Sequence, residues 1–289
     1  MSGNKNKFKI IGLCYSGISD EYQLPLINYL MEKCVASGFK LLIFASFSNK
    51  EPNSGHDNCE YNIYSLINYD ILDGMILLSP TFKSQEILNN IIDSSRNANI
   101  PIVSIDSFIE NGINIEFDYI DALYKLTTHF IKNHNCSKIN FLSGGFENEY
   151  NDKRLHAYKK ALIDNNIPYE ENRVIEGRFW HENATQNVIE YLKSHPAPDA
   201  FVCSNDSMAI GTILALETCG YRVPDDVLVS GFDGITEAIN HTPKITTAQY
   251  DFECAADFAV KSLINYFNGI ENPASQICPA TIIFSESCG

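Results

Sequence analysis

Short apolar runs rich in β-branched residues alternate with amphipathic stretches along almost the whole chain. This is the pattern of βαβ units building parallel sheets, so the sequence predicts an α/β fold of two doubly wound lobes. Three observations carry the prediction. The runs are continuously apolar, as strands are when helices cover both faces of their sheet. Ten of them fall within 289 residues, more than one sheet of ordinary size holds. No Pro/Gly/Ser-rich linker or low-complexity segment divides the chain, so brief crossovers must join the lobes.

The first strand is expected at Lys9–Tyr15. A helix follows, because Leu24, Ile27, Leu30, Met31, Cys34 and Val35 recur at helical spacing and Gly38 stands where a left-handed C-cap is wanted. Next come a strand at Lys40–Ala45, a polar surface loop at Ser48–Asn58 containing Pro52 and Gly55, and a strand at Asp73–Ser79. A helix over Glu86–Asn97, a strand at Pro101–Asp106 and a helix over Ile120–Lys132 close the first half. The second half repeats the alternation. Strands are read at Lys138–Ser143, Arg173–Glu176, Ala200–Cys203, Val227–Gly231, Ile245–Gln249 and Ala280–Phe284. Helices are read at Lys153–Asn165, Ala184–Ser194, Ser207–Cys219 (closed by Gly220) and Phe252–Phe267 (closed by Gly269).

Composition narrows the functions. With 21 basic against 36 acidic residues the net charge is −15, which opposes broad contact with nucleic acid or anionic lipid. Nine cysteines, an odd number without any C-x-x-C pair, argue against a disulfide framework or a zinc site and read as small buried hydrophobes in a reducing cytosol. The apolar stretch Ile10–Tyr15 is too short for a secretory signal. Cys14 makes a poor lipidation site because Leu13, not a small residue, precedes it. No apolar run is long enough to span a membrane, so a cytoplasmic protein is expected. The nucleophile elbow, the phosphate-binding loop, the dinucleotide glycine motif and the H-E-x-x-H zinc motif are all missing. His129 and His134 lie five apart, off a common helix face, and no metal or cofactor is expected.

Polar residues instead gather at the carboxyl ends of the expected strands, where open α/β sheets bind ligands. Asp20 and Tyr22 follow the first strand, Asp106 ends the fourth, and Asn205-Asp206 follow Ala200–Cys203. Asp233 ends Leu228-Val229-Ser230-Gly231-Phe232, and Gln249 ends Ile245–Gln249. Each alone reads as a helix N-cap or turn former. Together, with aromatics interleaved, they describe a cleft that bonds the hydroxyls of a small polar ring and covers its apolar faces.

The stretches Ala200-Phe-Val-Cys-Ser-Asn-Asp-Ser-Met-Ala-Ile-Gly-Thr212, Gly220-Tyr-Arg-Val-Pro-Asp-Asp-Val-Leu-Val-Ser-Gly-Phe-Asp233 and Pro243-Lys-Ile-Thr-Thr-Ala-Gln249 closely resemble the effector-binding domain of LacI/GalR-type transcription regulators. Ile100–Asp106, Arg154 with Tyr158, and Gly177-Arg-Phe-Trp180 agree. The resemblance runs from about Phe8 to the end. It implies the periplasmic-binding-protein type I fold, also similar to ribose-binding protein, with three crossovers. One lobe would then combine residues 1–106 with 250–277 and the other 107–249 with 278–289. It also implies the ligand set: Asp20 and Tyr22 after the first strand, with Gln23 where a second aromatic is usual; Asp106 for two ring hydroxyls; Arg154 as a donor; Phe179 and Trp180 for stacking; and Asn205, Asp233 and Gln249 for the remaining hydrogen bonds. The implied protein is a homodimeric sensor that takes a small polar ligand, a sugar, between its lobes and signals by lobe closure, without covalent chemistry. The family's DNA-binding headpiece has no match here, so DNA contact is expected only through a module outside these residues. Two alternatives stay open: a sensor with a C-terminal cyclase, kinase or AraC-type output, and a transporter's sugar-binding protein.

Overall fold

In the computed structural model of the chain, residues 8–18, 23–47, 60–145 and 149–289 are described. The chain divides into two compact units: Met1–Phe117 with Asp251–Cys278, and Asp118–Tyr250 with Pro279–Gly289.

The first unit is built on β1 (Ile10–Ser16), β2 (Lys40–Ser46), β3 (Gly74–Leu78), β4 (Ile102–Ile105), β5 (Ile113–Phe117) and β11 (Ser275–Cys278), in the order β11-β5-β4-β3-β1-β2. Every pairing in it is parallel. Its described helices are α1 (Leu24–Ala36), the single turn α2 (Asn62–Ser65), α3 (Gln85–Asn97) and α9 (Phe252–Phe267). Gly38 and Gly269 adopt φ +73° and +68° past α1 and α9, the left-handed conformation that glycine takes without strain.

The second unit holds β6 (Ile139–Ser143), β7 (Val174–Glu176), β8 (Ala200–Cys203), β9 (Leu228–Asp233), β10 (Thr246–Tyr250) and β12 (Ala280–Ile283), in the order β12-β10-β9-β8-β6-β7. All pairings are parallel except β12, which runs antiparallel to β10. Its helices are α4 (Tyr119–Asn133), α5 (Glu149–Asp164), α6 (His181–Ser194), α7 (Asp206–Thr218) and the short α8 (Thr236–Asn240). A core of Phe201, Met208, Ile213, Leu216, Val227 and Val229 packs α7 onto the central strands. At roughly 1.5–3 kcal/mol per fully buried side chain, such burial drives the folding of the unit.

The sequence reading missed two strands, β5 and β11, and this moves the first crossing from residue 106 to Phe117. The run Ile113-Asn-Ile-Glu-Phe117 alternates apolar and polar, and its buried Asn114 accepts from the Ile109 amide and donates to the Ile109 carbonyl. A search for continuous apolar runs passes over such a strand. The polar β11 is an edge strand and bears little hydrophobic signal. The expected loop at Ser48–Asn58 lies outside the described residues. Among the described residues no helix is long and apolar enough to cross a membrane.

Candidate functional site

In each sheet the connections leave in opposite directions from two neighbouring strands, β1 and β3 in one and β6 and β8 in the other, and such a switch point opens a crevice at the carboxyl ends. In the second unit this crevice is organised by α5. Asn151, 1% exposed, accepts from the Gly144 amide at 2.7 Å and the Ser204 hydroxyl at 3.2 Å, and donates to the Gly145 carbonyl at 2.9 Å. One side chain thereby fixes the turns after both β6 and β8.

Arg154 stands one helical step beyond Asn151 and is also buried. Its guanidinium donates to the Ser204 carbonyl, to Tyr250 Oη at 2.6 Å and to Asp233 Oδ1 at 3.4 Å. Its Cζ lies 4.5 Å from the ring centre of Phe232 and 5.1 Å from that of Tyr119, within cation–π range. Tyr250 packs edge-on against both rings. An arginine on a helix flanked by lysines has thus become the charged centre of an aromatic enclosure.

Asp233, at φ +112°, closes β9. Burial pushes its carboxyl up to about 6, against the opposing pull of Arg154 and of the Tyr250 hydroxyl. Asp206 is fully buried and accepts from Thr247 Oγ1 at 2.6 Å and the Ile235 amide at 2.9 Å. Burial first, and the Asp233 charge second, raise it well above the usual carboxylate range. A Cβ on Gly231 would lie 2.1 Å from Asp206 Oδ1, so only glycine lets β9 pass this carboxyl.

The pH dependence follows from Asp233. It binds a proton more tightly folded than unfolded, so its protonation stabilises the fold; the contribution is complete below its ordinary 3.8 and is lost as pH rises through about 6. Relative to Asp233→Asn, the wild type is expected to gain on the order of 2–3 kcal/mol of unfolding free energy on acidification from about pH 8 to about pH 4. Denaturant unfolding across that range checks it, and parallel curves for the two proteins would refute it.

The other expected residues of this unit fall as follows. Gln249 is the penultimate residue of β10, which runs one residue past the expected end, and its aliphatic stem lies against Gly234. Asn205 is the N-cap of α7: its carbonyl oxygen accepts from the Met208 amide and its amide donates to the Phe179 carbonyl. Phe179, at φ +63°, lays its ring over Gly144, where a Cβ would fall 2.0 Å from the ring edge. Trp180 is 54% exposed at the N-cap of α6.

In the first unit, Asp20 and Tyr22 lie outside the described residues. Gln23 is buried and donates to the Ser16 carbonyl, and the Ser16 amide donates to Thr81. Gln23, Thr81, Asp106, Phe117 and Phe252 line a depression at the carboxyl ends of this sheet. Phe117 and Phe252 meet edge to face there with ring centres 5.6 Å apart. Sequence reasoning missed both, along with Tyr119, Asn151 and Tyr250. The adjacency of Tyr250 to Gln249 and the helical step from Asn151 to Arg154 were the available signals. The second unit by itself offers carboxylate acceptors, an arginine donor and aromatic faces at its strand ends, and the first unit by itself offers an amide, a carboxylate and two aromatic rings, groups suited to hydroxylated rings.

Of the eight described cysteines all are free, six are buried, and Cys59 lies outside the described residues. The spacing argument that kept His129 from His134 fails, because α4 stops at Asn133 and the turn at His134 brings the two Nε2 atoms to 3.1 Å.

A model of the periplasmic binding protein-like domain family matches residues 127–288. The chain is 28% identical over 244 residues to the HTH-type transcriptional repressor PurR of Photobacterium profundum, covering 84% of this chain and 70% of the repressor. It is 30% identical over 236 residues to the probable HTH-type transcriptional repressor ExuR of Bacillus subtilis, covering 77% and 69%. Among solved structures, a Lac repressor dimer bound to operator and the anti-inducer ONPF aligns with a TM-score of 0.78 at 18% identity, over 98% of this chain and 95% of that one. The complex of the transcriptional regulator CelR with cellobiose aligns with a TM-score of 0.79 at 20% identity, over 96% and 84%.

Proposed function

This chain belongs to the periplasmic binding protein-like family, as the sensor domain of a LacI-type transcription regulator, and on that premise we propose that its ligand is a small uncharged sugar. The ligand is bound by the strand-end groups Gln23, Asp106, Arg154, Phe179, Asn205, Asp233 and Gln249, joined by Asp20, Tyr22 and Trp180. One observation carries the choice of ligand class: the charge of Arg154 is already balanced by Asp233 at 3.4 Å. A phosphate or carboxylate ligand at these strand ends of the second unit would therefore meet the Asp233 carboxylate with its cation already paired, and like-charge repulsion would weaken it. Hydroxyl groups suit both partners, since they donate to the carboxylates and accept from the guanidinium.

The protein binds without catalysing a reaction, acts as a cytoplasmic homodimer, and reaches DNA through a module outside these residues. The repressor identity of its relatives, the dimeric Lac repressor and the sugar-bound CelR support this reading. Thermal shift and calorimetry against neutral mono- and disaccharides, their phosphates, uronic acids and nucleobases test it. A neutral sugar at ~100 times its Kd should raise the unfolding free energy by about 2.7 kcal/mol, and the same samples should sediment as dimers. A response confined to phosphorylated, acidic or nucleobase ligands would overturn the sugar assignment.

A further inference from the structure

Away from the strand ends, the C-terminal turn of α4 meets the last turn of the chain at a cluster of donor atoms. Nε2 of His129 and Nε2 of His134 face each other at 3.1 Å, and Cys288 Sγ lies 3.9 Å from His129 Nε2. All three atoms fall within 4.8 Å of one another. We propose that His129, His134 and Cys288 bind one divalent transition-metal cation of the zinc class, with water in the fourth position.

Zinc–nitrogen bonds of about 2.0–2.1 Å and a zinc–sulfur bond of about 2.3 Å at tetrahedral angles place ligand nitrogens about 3.3 Å apart and nitrogen about 3.6 Å from sulfur. The observed 3.1 and 3.9 Å lie within a few tenths of an ångström of those values, and the His134–Cys288 separation, bounded at 4.8 Å, would close by up to about 1 Å on binding. The donor set of two imidazoles and one thiolate is one that zinc, cobalt(II) and nickel(II) share. As neutral rings the two imidazoles can share one N–H···N hydrogen bond, one Nε2 donating and the other accepting. A cation between them would use both Nε2 lone pairs instead, with the ring protons moved to Nδ1.

The surroundings fit as well. Thr246 Oγ1 stands 3.0 Å from Cys288 Sγ, placed to donate to a thiolate. The Phe284 ring lies 4.3 Å from the His129 ring and shields one side. Both histidines are half-buried while Cys288 is buried, so the cluster has a solvent-facing side for a fourth ligand. Binding is balanced by loss of one proton from the Cys288 thiol, the imidazoles coordinating as neutral ligands with their protons on Nδ1. The cation would clip α4 to the chain's final turn and stabilise the second unit by mass action.

Cobalt(II) titration of the whole chain under a thiol-free reductant tests the proposal. One equivalent should produce a near-ultraviolet thiolate-to-cobalt charge-transfer band with tetrahedral visible bands, all removed by zinc. Cys288→Ser should abolish the charge-transfer band, and His129→Ala and His134→Ala should each weaken binding by at least about tenfold. Cys254 and Cys278, whose sulfurs lie 3.0 Å apart in the first unit, supply the control: the double serine variant should keep the band. Failure of the wild type to develop the band overturns the proposal, as does a band that survives Cys288→Ser and vanishes in the control. Metal-free melting reports whether each variant folds. If Cys288→Ser does not, His134→Asn, at a helix end that asparagine tolerates, carries the comparison, and unchanged affinity there is equally decisive.

Discussion

Replacing Asp106 with alanine is expected to weaken ligand binding by roughly two to four orders of magnitude while leaving the fold intact. A carboxylate that accepts two ligand hydroxyls makes two charge-assisted hydrogen bonds of about 1.5–3 kcal/mol each, and affinity changes tenfold per 1.4 kcal/mol. The competing role for an aspartate after a strand is to cap the next helix. Here the next element is β5, and the N-cap of the next helix, α4, is Asp118. Asp106 does adopt φ +65°, which aspartate tolerates better than alanine, so the apo protein should lose about 1 kcal/mol. Asp106→Asn keeps that backbone preference and should retain apo stability while still losing most of the affinity. Calorimetric Kd and apo melting measured on both variants decide the matter. A destabilised variant with normal affinity would show that Asp106 is scaffold.

Arg154→Ala is expected to cost about 3–5 kcal/mol of unfolding free energy, the range for removing one partner of a buried ion pair, and to abolish ligand response. The substitution takes a donor from the Ser204 carbonyl and from Tyr250, and the counter-charge from Asp233. Without the arginine the Asp233 carboxyl is driven further up, since burial then acts unopposed by a cation. Arg154→Met with Asp233→Asn should be less damaging than Arg154→Ala, because an unmatched buried charge costs more than an uncharged replacement of both. Urea unfolding of the single and double variants checks the order, and an Arg154→Ala protein as stable as wild type would remove Arg154 from the framework of the unit.

The βα alternation and the positions of Asp106, Asn205, Asp233 and Gln249 were legible because they depend on local pattern: an apolar run, then a polar residue where it stops. Arg154 was not legible from its surroundings in sequence. It sits beside Lys153 on a helix that also carries Lys159 and Lys160, and its partners come 50, 79 and 96 residues later. Only the family resemblance singled it out. The aromatic enclosure was hidden similarly, since Tyr119 opens a helix and reads as ordinary core, and so was the Phe252 ring of the first unit, which opens another. The meeting of His129 and His134 depends on where α4 ends, and helix ends are the least certain part of any pattern. Cys288 lies 159 positions beyond His129.

The interleaving of the two units sets a timetable for synthesis. β5 pairs with β11, and the contact between Asn114 and Ala274 spans 160 residues. At about 5–20 residues per second, a ribosome takes roughly 8–30 s to cover that distance. Throughout this interval β5 presents an unpaired edge to the crowded cell, a template for mispairing with another chain. The polar Asn114 and Glu116 within that strand, the feature that concealed it from an apolar-run search, make the waiting edge less adhesive.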